Sequence, residues 1–156
     1  MNPKFMQIAI DAAKEGLQTV GEGPFGACIV KDDKVIAIGN NRVVTESDPT
    51  AHAETVAIRK ACKKLGHFEL KGCDLYSTCE PCPMCFGTIY WARLDRMYYG
   101  CTRHEAAKIG FDDQLIYDEL AKEESKRRLK TIPDFMHDEC LELFKIWEKK
   151  KDRVEY

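Results

Sequence analysis

The chain has 156 residues, room for one domain with a substantial core and little more. Lys and Arg total 24 against 26 Asp and Glu, a net charge of −2; the chain is 44% hydrophobic and 32% charged, with a mean hydropathy of −0.42, as in an ordinary globular protein. With no basic excess to grip phosphates, the charge balance weighs against a nucleic acid as substrate.

Residues 3–20 place Phe5, Ile8, Ala9, Ala12, Ala13 and Leu17 on one apolar stripe, with Asn2 as N-cap and Pro3 at the first helical position, and predict an amphipathic helix. Lys4, Asp11, Lys14 and Glu15 interrupt any uncharged apolar run of the signal-peptide kind. No stretch approaches the ~20 apolar residues of a membrane helix, so the expected location is cytoplasmic. The eight cysteines are then expected to be reduced rather than paired. After a break at residues 22–26, Phe25–Val30 and Val35–Ile38 are β-rich runs around the turn Lys31-Asp32-Asp33-Lys34, a hairpin by length and chemistry. A polar loop, GNNRVVTESDPT, follows.

Residues 52–65 predict a helix with Gly66 just past its end, Asp74–Thr78 a strand, 82–93 a helix and Arg96–Cys101 a further strand. A loop over His104–Asp113, a helix near 113–129, a break at Ile132-Pro133 and a last helix near 138–150 complete the chain. A hairpin followed by strands alternating with helices implies an α/β fold, a mixed sheet covered on both faces.

Two segments carry the chemistry: His52-Ala53-Glu54 and Pro81-Cys82-Pro83-Met84-Cys85, each at the start of a predicted helix. Cys82 and Cys85, three apart on a first helical turn, can turn both sulfurs toward one metal, and the positive end of a helix favours thiolate. His52 adds a third ligand, and three protein ligands with one open position describe a catalytic rather than a structural zinc. Glu54, two residues on, can reach water at that position without binding the metal and move its proton. A lone CxxC also fits a redox pair, but Pro81 and His-x-Glu are then unexplained; a structural zinc ribbon needs a second CxxC or a His pair, and the sequence has neither. His-x-Glu with Pro-Cys-x-x-Cys is the signature of zinc nucleobase deaminases.

With Thr50-Ala51-His52-Ala53-Glu54, Cys79-Glu80-Pro81-Cys82-Pro83-Met84-Cys85 and Gly87-Thr88-Ile89-Tyr90-Trp91-Ala92-Arg93 in view, the chain resembles the cytidine deaminase superfamily, and within it the bacterial guanine deaminases. The resemblance implies a three-layer α-β-α fold with a mixed five-stranded sheet, formed by one domain over residues 1–156. It implies Zn2+ on His52, Cys82 and Cys85, Glu54 as the proton carrier, and hydrolysis of guanine to xanthine and ammonia in purine metabolism. By the same resemblance, Asn41 and Asp113 contact the base and Phe25 lines its pocket. The segment from about 130 to 156 is swapped onto the partner of a homodimer, where Tyr156 closes the site. Tyr90 and Trp91 are expected to be packing residues behind the cysteines, and either Asp112 or Asp113 to cap a helix. Cytosine, guanosine and tRNA-adenosine remain alternative substrates because the zinc motifs are shared, and a non-catalytic zinc-binding protein has no use for Glu54.

Overall fold

The computed structural model describes residues 1–155 and divides into two compact units, Met1–Gln114 and a second beginning at Leu115. In the first unit, helix α1 (Pro3–Gly16) is followed by strands β1 (Gly26–Lys31) and β2 (Lys34–Asn40), a one-turn helix α2 (Val43–Glu46) and helix α3 (Ala53–Leu65). Strand β3 (Cys73–Cys79), helix α4 (Pro83–Trp91), strand β4 (Arg96–Cys101) and short helix α5 (Arg103–Ala107) follow. Asn2 caps α1 by accepting from Lys4 N at 3.1 Å, and Pro3 occupies the first turn, as the sequence dictates. α1 ends four residues short of the expected position, because the chain turns at Leu17–Gly21, where Gly21 takes a φ of +85°. In the hairpin turn Asp32 and Asp33 both have positive φ, the conformation a tight two-residue turn requires.

The sheet order is β2-β1-β3-β4, with β1 antiparallel to both neighbours and β3 parallel to β4. Among the described residues the sheet thus has four strands, not the expected five. Beyond β4 the chain turns helical at once: Thr102 and Glu105 cap α5 reciprocally. The later stretch 127–133 pairs with no strand, and Pro133 lacks the N–H that pairing needs.

Alternation along β1 builds two cores. Ala27 and Ile29 face α3, packing with Leu75 against Ala53, Ala57, Ile58 and Ala61. Cys28 and Val30 face α1, packing with Tyr76 against Phe5 and Ala9. Ile89 and Ala92 join the α3 side, so α3 and α4 cover one face of the sheet and α1 the other. Alanine every fourth residue on α3 lets that helix lie close, and Gly39 on β2 lets it lie closer still: a Cβ there would sit 2.3 Å from Ala53 O. α4 buries only Cys85 and Ile89, four apart. Tyr90 and Trp91, expected to pack, lie off that stripe and are exposed.

The second unit holds most of helix α6 (Gln114–Ala121), a single 3₁₀ turn at Glu124–Lys126 and helix α7 (His137–Lys149). The helix expected near 113–129 stops early because the chain folds back on Glu119, whose carboxylate accepts from Arg128 N at 2.6 Å. No described residue from 115 onward is buried. Among the described residues no helix is long and apolar enough to cross a membrane.

Candidate active site

Two helix N-termini converge at the ends of the central strands. His52 is the N-cap residue of α3 and Cys82 that of α4, with Pro83 fixing the first turn on which Cys85 sits. A ring nitrogen of His52 and the Cys82 and Cys85 sulfurs lie within 4.8 Å of one another, the metal-capable cluster among the described residues. His52 Nδ1 stands 3.5 Å from Cys82 Sγ. A tetrahedral zinc with Zn–N of about 2.0–2.1 Å and Zn–S of about 2.3 Å has an N···S edge of about 3.5–3.6 Å. The donor set and its spacing therefore fit zinc.

The charges suit a metal as well. A hydrogen bond from the Cys85 thiol, aided by His52, outweighs burial and holds the Cys82 thiol down at about 4. That same bond, then burial, pushes Cys85 the other way, and the contact with Cys82 raises His52. Thr55 Oγ1 lies 3.6 Å from the Cys85 sulfur.

Glu54, on the first turn of α3, is buried, and burial raises its carboxyl above the usual range. Ser77 on β3 donates to its Oε1 at 3.1 Å, and the Cys85 sulfur lies 3.5 Å from Oε2. A buried carboxyl group held beside a metal site is placed to exchange a proton with a group bound there.

His52, Glu54 and Cys82 line a cavity of about 350 Å³, in the range of small-ligand sites. Phe25, Asn41 and Asp113 line it too, while Cys85 is fully buried. The structure thus brings together all the sequence-derived site residues except Tyr156, which lies outside the described residues. The two aspartates divide their work: Asp112 accepts from Gln114 N at 2.9 Å at the start of α6, and Asp113 lines the cavity. Burial, then the nearby Cys82 thiolate, raises the Asp113 carboxyl.

Several residues of the site were not singled out from sequence. Phe111 meets Phe25 edge to face, ring centres 4.8 Å apart, on the cavity wall. Gly23 makes room for that pair, since a Cβ there would come within 3.0 Å of both rings. Ser77 and Glu22 are buried polar residues contacting Glu54 and Asn41 respectively. Alternation along β3 could have pointed Ser77 inward; nothing local marks Glu22.

A family model described as the cytidine and deoxycytidylate deaminase zinc-binding region matches residues 1–101. The chain is 48% identical to the guanine deaminase of Bacillus subtilis over 154 residues, 97% of each sequence. It is 47% identical to a tRNA-specific adenosine deaminase of Agrobacterium fabrum over 96 residues, 62% of each. The X-ray structure of the Bacillus subtilis guanine deaminase superposes with a TM-score of 0.95 at 46% identity, covering 100% of this chain and 99% of that one.

Proposed function

The chain belongs to the cytidine and deoxycytidylate deaminase zinc-binding family, and from that premise we propose that it hydrolyses guanine to xanthine and ammonia. The observation that carries the choice of substrate is identity along nearly the whole chain, 48% over 97% of it with a guanine deaminase, where a tRNA-specific adenosine deaminase of Buchnera aphidicola matching 94% of it is only 32% identical. A chain of net charge −2 also has little with which to hold RNA.

In this reading His52, Cys82 and Cys85 hold zinc, which when bound supplies the Lewis acidity that makes water a nucleophile at neutral pH. Glu54 takes a proton from the attacking water as its oxygen bonds to C2 of the base. With Ser77 fixed on Oε1, Oε2 is the atom that carries the proton, first to the ring nitrogen beside C2 and then to the departing amine. The C2–N bond breaks and ammonia leaves, so one guanine and one water give one xanthine and one ammonia. Asn41 and Asp113 hold the base by its polar edges, an amide able to donate and accept and a carboxylate able to accept from N–H groups. Phe25, backed by Phe111, gives the ring an apolar wall.

The same reading treats residues 1–156 as one deaminase domain working in the cytoplasm as a homodimer, with the segment from about 130 to 156 swapped onto the partner and Tyr156 closing its site. Support comes from the second unit, in which no described residue is buried while α7 exposes Leu143, Phe144, Ile146 and Trp147. A segment without a core of its own needs another surface to cover such side chains.

Ammonia release from guanine, guanosine, adenine and cytosine, measured in parallel, tests the proposal. Guanine is expected to be turned over and cytosine and adenine left intact. Turnover of cytosine or adenine in preference to guanine would keep the zinc chemistry and overturn the substrate.

A further inference from the structure

Glu22 stands in the break between α1 and β1, far in sequence from every metal ligand, yet only 8% of it is exposed. A buried carboxylate needs donors, and Thr45 and Asn41 supply this one. Thr45 N and Thr45 Oγ1 each donate to Oε1 at 2.7 Å, and Asn41 Nδ2 donates to Oε2 at 2.9 Å. Burial pushes its carboxyl up, but the bonds from Thr45 and Asn41 outweigh it and hold the group below the usual carboxylate range. Glu22 is therefore acceptor-only at neutral pH, and the end of the Asn41 amide that meets it must be the NH2.

That constraint decides what Asn41 offers the cavity. Its backbone N–H is spent on Phe25 O at 3.0 Å, and one side-chain N–H is spent on Glu22. No donor meets Asn41 Oδ1 among the described residues, so the carbonyl is left to accept. We infer that Glu22 is a positioning residue for substrate recognition: its carboxylate fixes the Asn41 amide so that the carbonyl oxygen faces the bound base as an acceptor for a ring N–H. The inference rests on the reading of the cavity as a purine-base site. Were the amide free to turn over, Asn41 would present its NH2 half the time and oppose N–H to N–H. A site built around one hydrogen-bond sense loses affinity steeply when that sense is lost.

The test is a double-mutant cycle on guanine with wild type, Glu22→Gln, Asn41→Ala and the double variant. Glu22→Gln keeps the shape and a carbonyl for Thr45, but its own NH2 can now turn the Asn41 amide around. KM is expected to rise about tenfold, the scale of a charge-assisted hydrogen bond, with kcat within threefold and zinc content unchanged. In the Asn41→Ala background the same substitution is expected to add less than twofold. Thr45→Val, which removes a donor to Glu22 without touching Asn41, is expected to leave KM within twofold. If Glu22→Gln does not fold, Glu22→Asp, which draws the charge back from Asn41 by one methylene, is expected to show the same rise in KM. A wild-type KM in the variant that folds, an equal loss without Asn41, or an equal loss in Thr45→Val would each overturn the inference. Wild-type protein inert on guanine would instead sink the purine reading, so the two failures are distinct.

Discussion

Gly39 and Gly26 offer a matched pair of perturbations on opposite faces of the sheet. A Cβ at position 39 would lie 2.3 Å from Ala53 O and 2.7 Å from Ala57 N, both backbone atoms of α3. A Cβ at position 26 would lie 2.1 Å from Ala9 O and 2.6 Å from Ala13 N, both on α1. Carbon contacts relax to about 3.5–4.0 Å, so each helix must retreat by more than about 1 Å. Overpacking of this kind costs about 1–3 kcal/mol and sometimes more, while replacing glycine in the unfolded chain returns only about 0.4–1 kcal/mol. Since backbone cannot swing aside as a side chain can, both Gly39→Ala and Gly26→Ala are expected to fall toward the upper end of the net range, a loss of about 2 kcal/mol in urea unfolding.

Their effects on the site should part company. α3 carries His52 and Glu54 on either side of Ala53, and a displacement of about 1 Å at reacting groups costs roughly a hundredfold in rate. Gly39→Ala is expected to weaken zinc in a chelator competition titration and to lower kcat per zinc-loaded molecule by about a hundredfold. Gly26→Ala moves a helix that holds no site residue, and is expected to keep both near the wild-type values. A Gly39→Ala protein that melts and binds zinc as wild type, or a Gly26→Ala protein that loses zinc equally, would show that the close approach of α3 does not position the zinc site.

Glu54→Ala is expected to retain zinc and lose about a thousandfold in kcat/KM, within the range of general acid–base catalysis; metal analysis beside steady-state kinetics checks both, and surviving turnover would remove Glu54 from its role. The same variant leaves buried Ser77 Oγ without its acceptor, a cost of about 1–3 kcal/mol opposed by the relief of no longer burying a carboxyl, so a small shift in melting temperature is expected. Asp113→Ala should lower kcat/KM on guanine by about tenfold or more with fold and zinc intact, and normal kinetics would take Asp113 out of the site. Deleting Tyr156 should cripple guanine turnover without changing zinc content, and unchanged rates would remove it from the closing tail.

Much of this architecture is legible in the sequence wherever the residue pattern decides the outcome locally. Strand Arg96–Cys101 appears with its expected bounds, and Gly66 ends α3 with a φ of +71°, as a residue placed past the last helical turn should. The zinc cluster was legible because Cys82 and Cys85 share one first helical turn and the His-x-Glu motif is part of a known signature with them, while both halves sit at helix starts. α2, by contrast, lies within a stretch that reads as polar loop, a single turn ended by Ser47 in the left-handed region. α5 was legible in principle, since Thr102 and Glu105 have capping-box spacing. Glu22 was not: its meaning lies in Asn41 and Thr45, about twenty residues away in the chain, and no periodicity links them. Tyr90 and Trp91 were misjudged because apolar character alone does not say which side of α4 is covered.

The zinc site formed by His52, Cys82 and Cys85 is proposed to turn guanine into xanthine. The most direct test is to quantify xanthine and ammonia from guanine with protein carrying one equivalent of zinc, again after chelation, and again after zinc is restored. Equimolar products, loss of both on stripping the metal, and recovery on its return are expected. Zinc-replete, folded protein that leaves guanine unchanged would contradict the proposal.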